Sequence, residues 1–278
     1  MSVTIVTDST CDIYPQILEQ KKITVVPLRV QVGTKSYIDG VTINTEQLYE
    51  FITSGRELPT TSQPPVQDFI DAYSKIKGDI LSIHIASSLS GTGNVANQAK
   101  QMLGEDGKRI RVYDSRNLTL GTGLMVLAAK EQADLGKSPE EIISYLDALH
   151  SHLHIYFSLS DLSHLHRGGR IGRAKMTIGN LLKYKPIFTF ESNTLVQHDK
   201  AFGNVQVINK LAALALHDHL IRPISRIYIA HGGCAEYMPQ LEEKVRETIE
   251  GDYELLRREL GSVIAVHAGP GALGVMYY

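Results

Sequence analysis

His267 stands two residues ahead of the run GPGALG, residues 269–274. That glycine spacing spells a dinucleotide-binding loop, which cradles a pyrophosphate at the N-terminus of the helix it opens and needs an acidic residue about 20 positions on. Only Val275, Met276, Tyr277 and Tyr278 follow, so no helix can be built there and the dinucleotide reading fails. What the glycines offer instead is a backbone that turns sharply and lets another group approach closely beside the histidine. Three other segments concentrate hydroxyls. In SSLSGTGN, Ser90, Gly91 and Thr92 are spaced to open a helix, whose free backbone N–H groups favour an anion. In PTTSQPP the flanking prolines predict a stiff polar arch holding Thr60, Thr61, Ser62 and Gln63. Read more plainly, that segment is a turn entering the next helix, with Pro64 or Pro65 near the first helical position. Ser9, Thr10 and Asp12 follow VTIVTD. Each of these loops, taken alone, also satisfies ordinary helix capping.

Hydroxyls and a histidine support two chemistries. A Ser/His acyl hydrolase would use Ser90 as nucleophile and His267 as base, but it needs a strained nucleophile elbow, and SLSGTG lacks the G-x-S-x-G pattern. The same groups can bind a carboxylate without reacting with it. Histidines also alternate at His150, His152 and His154, and His164 and His166 bracket Leu165. Their spacing suits neither a helical ligand pair nor a zincin motif and carboxylates are sparse around them, so no metal is expected.

These loops need a scaffold to hold them. Short β-rich runs alternate with helical stretches: VTIVTD, ITVVPLRVQV, DILSIHIASS, RIRVYDS, then IYFSLSD, PIFTFES, RIYIAHGG and SVIAVHAGP. Several are continuous apolar runs, the form of strands covered on both faces, as in a parallel α/β sheet. SVIAV is expected to be the last strand, with His267 at its end. Ser138, Pro139 and Glu141 form a capping-box start for the helix SPEEIISYLDALHSHL. Phe69, Ile70, Tyr73 and Ile76 make one apolar stripe of a helix that stops at Gly78. The repeated strand, loop and helix predict an α/β fold whose ligands collect at the carboxyl ends of strands. A boundary near residue 150 gives an N-terminal α/β domain with a parallel sheet over 1–150 and a C-terminal α/β domain over 151–278.

Composition narrows the function classes. A chain of 278 residues, 43% hydrophobic, buries a sizeable core, and a net charge of -2 argues against a nucleic-acid partner. Cys11 and Cys234, the only cysteines, are too few for a disulfide framework or a structural zinc site. The start MSVTIVTDS has no basic region followed by an apolar stretch, and no apolar run reaches the roughly 18 residues of a membrane span. The expectation is a soluble cytoplasmic protein. One window is one-sided: residues 162–190 hold Arg167, Arg170, Arg173, Lys175, Lys183 and Lys185 and no acidic residue. A DNA-binding reading would rest on that window alone, which shows no recognition helix or aromatic stacking surface.

TDSTCD, TTSQP, SSLSGTGN, YDSR, LHRGGRIGR, LLKYKPI and HAGPGALGV occur in this order along nearly the whole chain. Together they resemble the DegV family, the fatty-acid-binding subunits of bacterial fatty-acid kinase. The resemblance implies two α/β domains with one long-chain fatty acid buried between them, no cofactor, and a carrier rather than an enzyme. A separate kinase subunit would phosphorylate the bound carboxylate to an acyl phosphate and feed phospholipid synthesis. It further implies that Thr61, Ser90 and His267 hold the carboxylate, with Ser62, Gly91, Thr92, Gly269 and Gly271 in the supporting loops. Arg170 and Arg173 would face the kinase subunit, and transient membrane contact is left open. One departure stands out, since family members often carry an arginine in the stretch matching KAFGN, where this chain has Phe202.

Overall fold

The computed structural model describes residues 3–55, 58–171, 184–191 and 193–278. The chain forms two units, Met1–Asn44 with Glu57–His152, and Thr45–Arg56 with Leu153–Tyr278. A single break near residue 150 therefore misplaces Thr45–Arg56, which precedes that point in the chain but packs with the C-terminal unit. Its helix α2 (Thr45–Ser54) buries Leu48. The Thr45 hydroxyl donates to the Leu260 carbonyl at 2.8 Å, a partner 215 residues away that no local pattern announces.

In the N-terminal unit, β2 (Thr24–Val26), β1 (Thr4–Asp8), β6 (Ile80–His84) and β7 (Ile110–Asp114) form a four-stranded sheet in that spatial order. Every pairing in it is parallel. Parallel strands need crossovers, and α3 (Val66–Ser74), α4 (Thr92–Met102) and α5 (Thr119–Asp134) supply apolar cover. Phe69 and Tyr73 of the predicted stripe are fully buried, with Ile70 and Ile76 packed at the margin of the same core. The run ITVVPLRVQV is not one strand. Pro27 cannot donate to a ladder, and the chain leaves the parallel sheet there to begin β3 (Arg29–Val32). β3 pairs antiparallel with β4 (Lys35–Ile38) and with β5 (Thr60–Ser62) in a separate three-stranded sheet. The segment expected as a polar arch is thus an edge strand over Thr60–Ser62, with Gln63 just beyond it, because its backbone completes a ladder with β3 rather than closing on itself. The capping box at α6 (Pro139–His150) is present in both directions, Ser138 to Glu141 and back.

The C-terminal unit has six strands in the order β10 (Thr194–Ala201), β9 (Lys185–Glu191), β8 (His154–Ser158), β13 (Ala272–Tyr277), β11 (Arg226–Gly232) and β12 (Glu254–Glu259). Only β11 and β12 run parallel; the other neighbours are antiparallel. Continuous apolar runs report burial on both faces and say nothing of strand direction, so the parallel expectation does not hold for this sheet. α8 (Gly203–Ile221) and α9 (Met238–Thr248) cover its core. SVIAVHA is also not a strand but the helix α10 (Ser262–Ala268). A short run apolar on every side has no period that separates helix from strand, and the sheet position is taken by β13, beyond the glycine turn. Among the described residues no helix is long and apolar enough to cross a membrane.

The stripe on α3 can be checked by unfolding in urea. Phe69→Ala is expected to cost about 3–5 kcal/mol, and Ile70→Ala, at the margin of that core, clearly less.

Candidate functional site

The carboxyl ends of β1 and β6 are tied by a buried polar chain. Asp8, the last residue of β1, is fully buried. Its Oδ1 accepts from the backbone N–H of Thr10 at 3.0 Å and from the Thr10 hydroxyl. Its Oδ2 accepts from Ile85 N at 3.1 Å and lies 3.0 Å from Nδ1 of His84. With Asp8 ionised, His84 donates from Nδ1, and Nε2 accepts from the Ser82 hydroxyl at 2.7 Å. Ser82 in turn accepts from the Tyr73 hydroxyl at 2.8 Å. Phe69 closes the histidine with an edge-on ring contact at 5.2 Å. Ser82, His84 and Asp8 reproduce the connectivity of a hydrolytic triad, yet all three have zero exposure, so no substrate reaches them. Their effect is structural: one carboxylate fixes where the loop after β1 and the loop after β6 begin.

The loop after β6 carries Ser90. Ser90 N and Leu89 N both donate to the Ala86 carbonyl, and Ala86 N donates to Asn117, so the turn is set from the strand end outward. Ser90 Oγ accepts from Thr92 N at 3.3 Å and lies 2.9 Å from the Thr92 hydroxyl. Gly91 caps α4, as the spacing of Ser90, Gly91 and Thr92 predicts. A Cβ on Gly91 would lie 2.3 Å from Oε1 of Gln63, so the bare glycine is what admits that side chain. Thr61 and Ser62 close β5 immediately before Gln63, opposite Val30 and Arg29. The hydroxyl segments at 60–63 and 90–92, far apart in sequence, are therefore neighbours.

In the C-terminal unit His267 occupies the last turn of α10, not a strand end, and Gly269 follows at φ 67°. A Cβ on Gly168 would lie 2.3 Å from Nδ1 of His267. Burial, then the Arg170 guanidinium, then His164 depress the His267 pKa from 6.5 to about 4, so the ring is neutral at pH 7. Arg170 follows α7 (Ser163–Arg167) and donates to the Gly168 carbonyl at 2.5 Å. Gly271 is reached by Ser160, whose hydroxyl donates to its carbonyl at 3.0 Å and accepts from Lys185 Nζ at 2.9 Å. Arg173, Lys175 and Lys183 lie outside the described residues. Phe202 caps α8 and is 61% exposed, so its aromatic ring stands where solvent or a partner meets it.

The remaining histidines go separate ways. His150 lies 3.3 Å from the Asn117 amide, while His154 stacks on Tyr277 and pairs with Asp218 at 3.3 Å. Among the described residues no three His, Cys, Asp or Glu side chains converge to hold a metal ion. Asp8 and His84 escaped notice as positioning residues, although a histidine inside the apolar run LSIHIA signals a buried group that must find partners.

A family model described as an uncharacterised protein of the DegV family matches residues 2–278. The chain belongs to the DegV family. Among curated members it is 34% identical to a DegV domain-containing protein of Staphylococcus aureus strain MRSA252 over 279 residues, covering 98% of this chain and 97% of that one. It is 32% identical to protein DegV of Bacillus subtilis, covering 100% and 99%. A DegV family structure from Thermus thermophilus, described as binding fatty acid, superposes with a TM-score of 0.88 at 33% identity over 100% of this chain and 99% of that one. The structure of Bacillus subtilis DegV, described as a fatty acid binding protein, gives the same TM-score, identity and coverage. The mixed α/β architecture is thus that of the DegV fold.

Two measurements test this geometry. Asp8→Ala strands several buried donors and should lower unfolding stability by about 3–5 kcal/mol. For His267 the folded pKa is lowered, so the unfolded state takes up a proton first as pH falls from 6.5 toward about 4. Its contribution is full above pH 6.5 and is lost across that window, by about 1–3 kcal/mol. Burial lowers His150, His164 and His231 as well, so the readout is the smaller pH slope of His267→Asn against the parent in this range.

Proposed function

We propose that this protein is a cytoplasmic carrier that buries a long-chain fatty acid and presents its carboxylate to a kinase subunit, which phosphorylates it to an acyl phosphate for phospholipid synthesis. The observation that carries this reading is whole-chain similarity, at 33% identity and a TM-score of 0.88, to two DegV structures described as binding fatty acid. On this reading Thr61, Ser90 and His267 hold the carboxylate, with Ser62, Gly91, Thr92, Gly269 and Gly271 shaping the loops around them. Arg170 and Arg173 face the kinase subunit.

The energetics suit such a carrier. Taking a carboxylate out of water costs several kcal/mol unless it is hydrogen-bonded, and two hydroxyls with one imidazole N–H are donors of the right kind. A neutral His267 contributes that N–H as a hydrogen bond rather than as an ion pair. The tail supplies the drive: at about 0.8 kcal/mol per methylene, fifteen of them give roughly 12 kcal/mol before the costs of ordering. Non-covalent retention follows, and the phosphoryl chemistry belongs to the partner's nucleotide site. Ser90 needs no activating base in this role, in keeping with its hydrogen bonds to Thr92.

Native mass spectrometry of the purified protein is expected to find one long-chain fatty acid per chain. A ligand-free protein unable to take up oleate sinks the reading. Thr61→Ala with Ser90→Ala should weaken oleate retention by about tenfold or more, the loss of hydrogen bonds to a charged group. Arg170→Ala should retain oleate but be phosphorylated poorly by the kinase subunit, and normal phosphorylation would remove the partner from this turn.

A further inference from the structure

The turn after α7 contains two successive glycines that are glycine for different reasons. Gly169 has φ +70° and nothing within 4 Å of its missing Cβ, so its backbone conformation alone accounts for it. Gly168 has φ -70° and ψ -10°, ordinary right-handed geometry that alanine adopts without strain. Nothing in its backbone requires a glycine. What a side chain there would meet is the imidazole of His267, with Nδ1 at 2.3 Å and Cε1 at 2.8 Å from the position of a Cβ. Those atoms belong to a ring rather than to the end of a flexible chain, so the histidine would have to leave its place.

The fit is reciprocal. A Cβ on Gly269, in the turn that follows His267, would lie 2.5 Å from Cδ2 and 3.0 Å from Nε2 of His164. The backbone of Val266, the residue before His267, favours a proton on His164, and His164 Nδ1 lies 3.4 Å from the Arg167 guanidinium. A guanidinium only donates, so Nδ1 accepts and the ring proton sits on Nε2. Each turn thus receives the other's histidine in the space of an absent side chain. The turn after α7 also carries Arg170, whose charge disfavours a proton on His267. One turn thus bears on the ring's position and adds to the burial that keeps it neutral.

We propose that Gly168 is a positioning residue for His267: its bare Cα, with His164 locked against Gly269, seats the imidazole before ligand arrives, so the fatty-acid carboxylate meets a prearranged donor. This rests on the carrier reading, and a donor fixed in advance avoids an ordering cost on binding.

The test uses the full chain with oleic acid as probe. Gly168→Ala should weaken oleate retention by about tenfold or more, as losing one hydrogen bond to a charged group does. In a His267→Ala background the same change should alter retention by less than about twofold, because the ring it displaces is gone. The His267 imidazole, followed by NMR, should titrate near 4 in the parent and move toward 6.5 in Gly168→Ala. Unchanged retention with an unmoved titration overturns the proposal, as does an equal loss in the His267→Ala background. If Gly168→Ala alone does not fold, the double variant should, and its failure to fold overturns the proposal too. Should the parent take up no oleate, the carrier reading falls, while the titration of His267 in Gly168→Ala still decides the positioning.

Discussion

A carboxylate buried at the end of a strand must be met by donors, and the N-terminal unit is arranged around that demand at Asp8. Two backbone N–H groups, a hydroxyl and an imidazole converge on it. Two come from Thr10, after β1, and two from His84 and Ile85, where β6 ends, so satisfying the charge fixes both loop origins at once. Left unmet, such a charge would cost several kcal/mol, a large fraction of a domain's net stability. The Tyr73 hydroxyl extends the same chain into α3, which ties a crossover helix to the polar layer beneath it. The position of the half-buried Ser90 hydroxyl is therefore inherited from groups that no solvent touches.

The C-terminal unit solves a similar problem by shape. Its glycine turns contribute no donors of their own side chains, but their missing atoms decide where two imidazoles lie. Close packing makes this effective: in an interior of near-crystalline density, removing one Cβ creates a seat only if another group fills it. GPGALG earlier spelled a phosphate cradle; in the folded chain Gly269 and Gly271 instead accommodate His164 and Ser160. The letters were informative about close approach and misleading about what approaches.

How much of this was legible depended on whether the signal was local. The capping box of α6, the stripe of α3 and the helix start at Gly91 follow from residues a few positions apart, and they stand as expected. SVIAV was expected as a strand and is a helix, because a run buried on every side carries no periodicity, and only the competition of β13 for the sheet decides it. Strand direction in the second sheet was equally hidden. Among the site residues, the hydroxyl loops could be named from composition, whereas Gly168 could not: its role is visible only once a ring 99 positions later is seen against it. The close fit of His164 over Gly269 was hidden for the same reason.

The character of the proposed donors bears on the reaction proposed for the ligand. A carboxylate that must attack a phosphoryl group needs its charge available, and a buried cation paired to it would hold that charge and lower its basicity. The proposed hydroxyls and neutral imidazole would steady the group with weaker bonds and leave it nucleophilic. The placement of Arg170 fits that requirement. Its hydrogen bond goes to the Gly168 carbonyl, and its field acts on His267, where it disfavours the imidazolium that would otherwise form beside an anion. On the proposed reading, burial and that neighbouring charge together keep the donor neutral, so the carboxylate would be held in place but not neutralised.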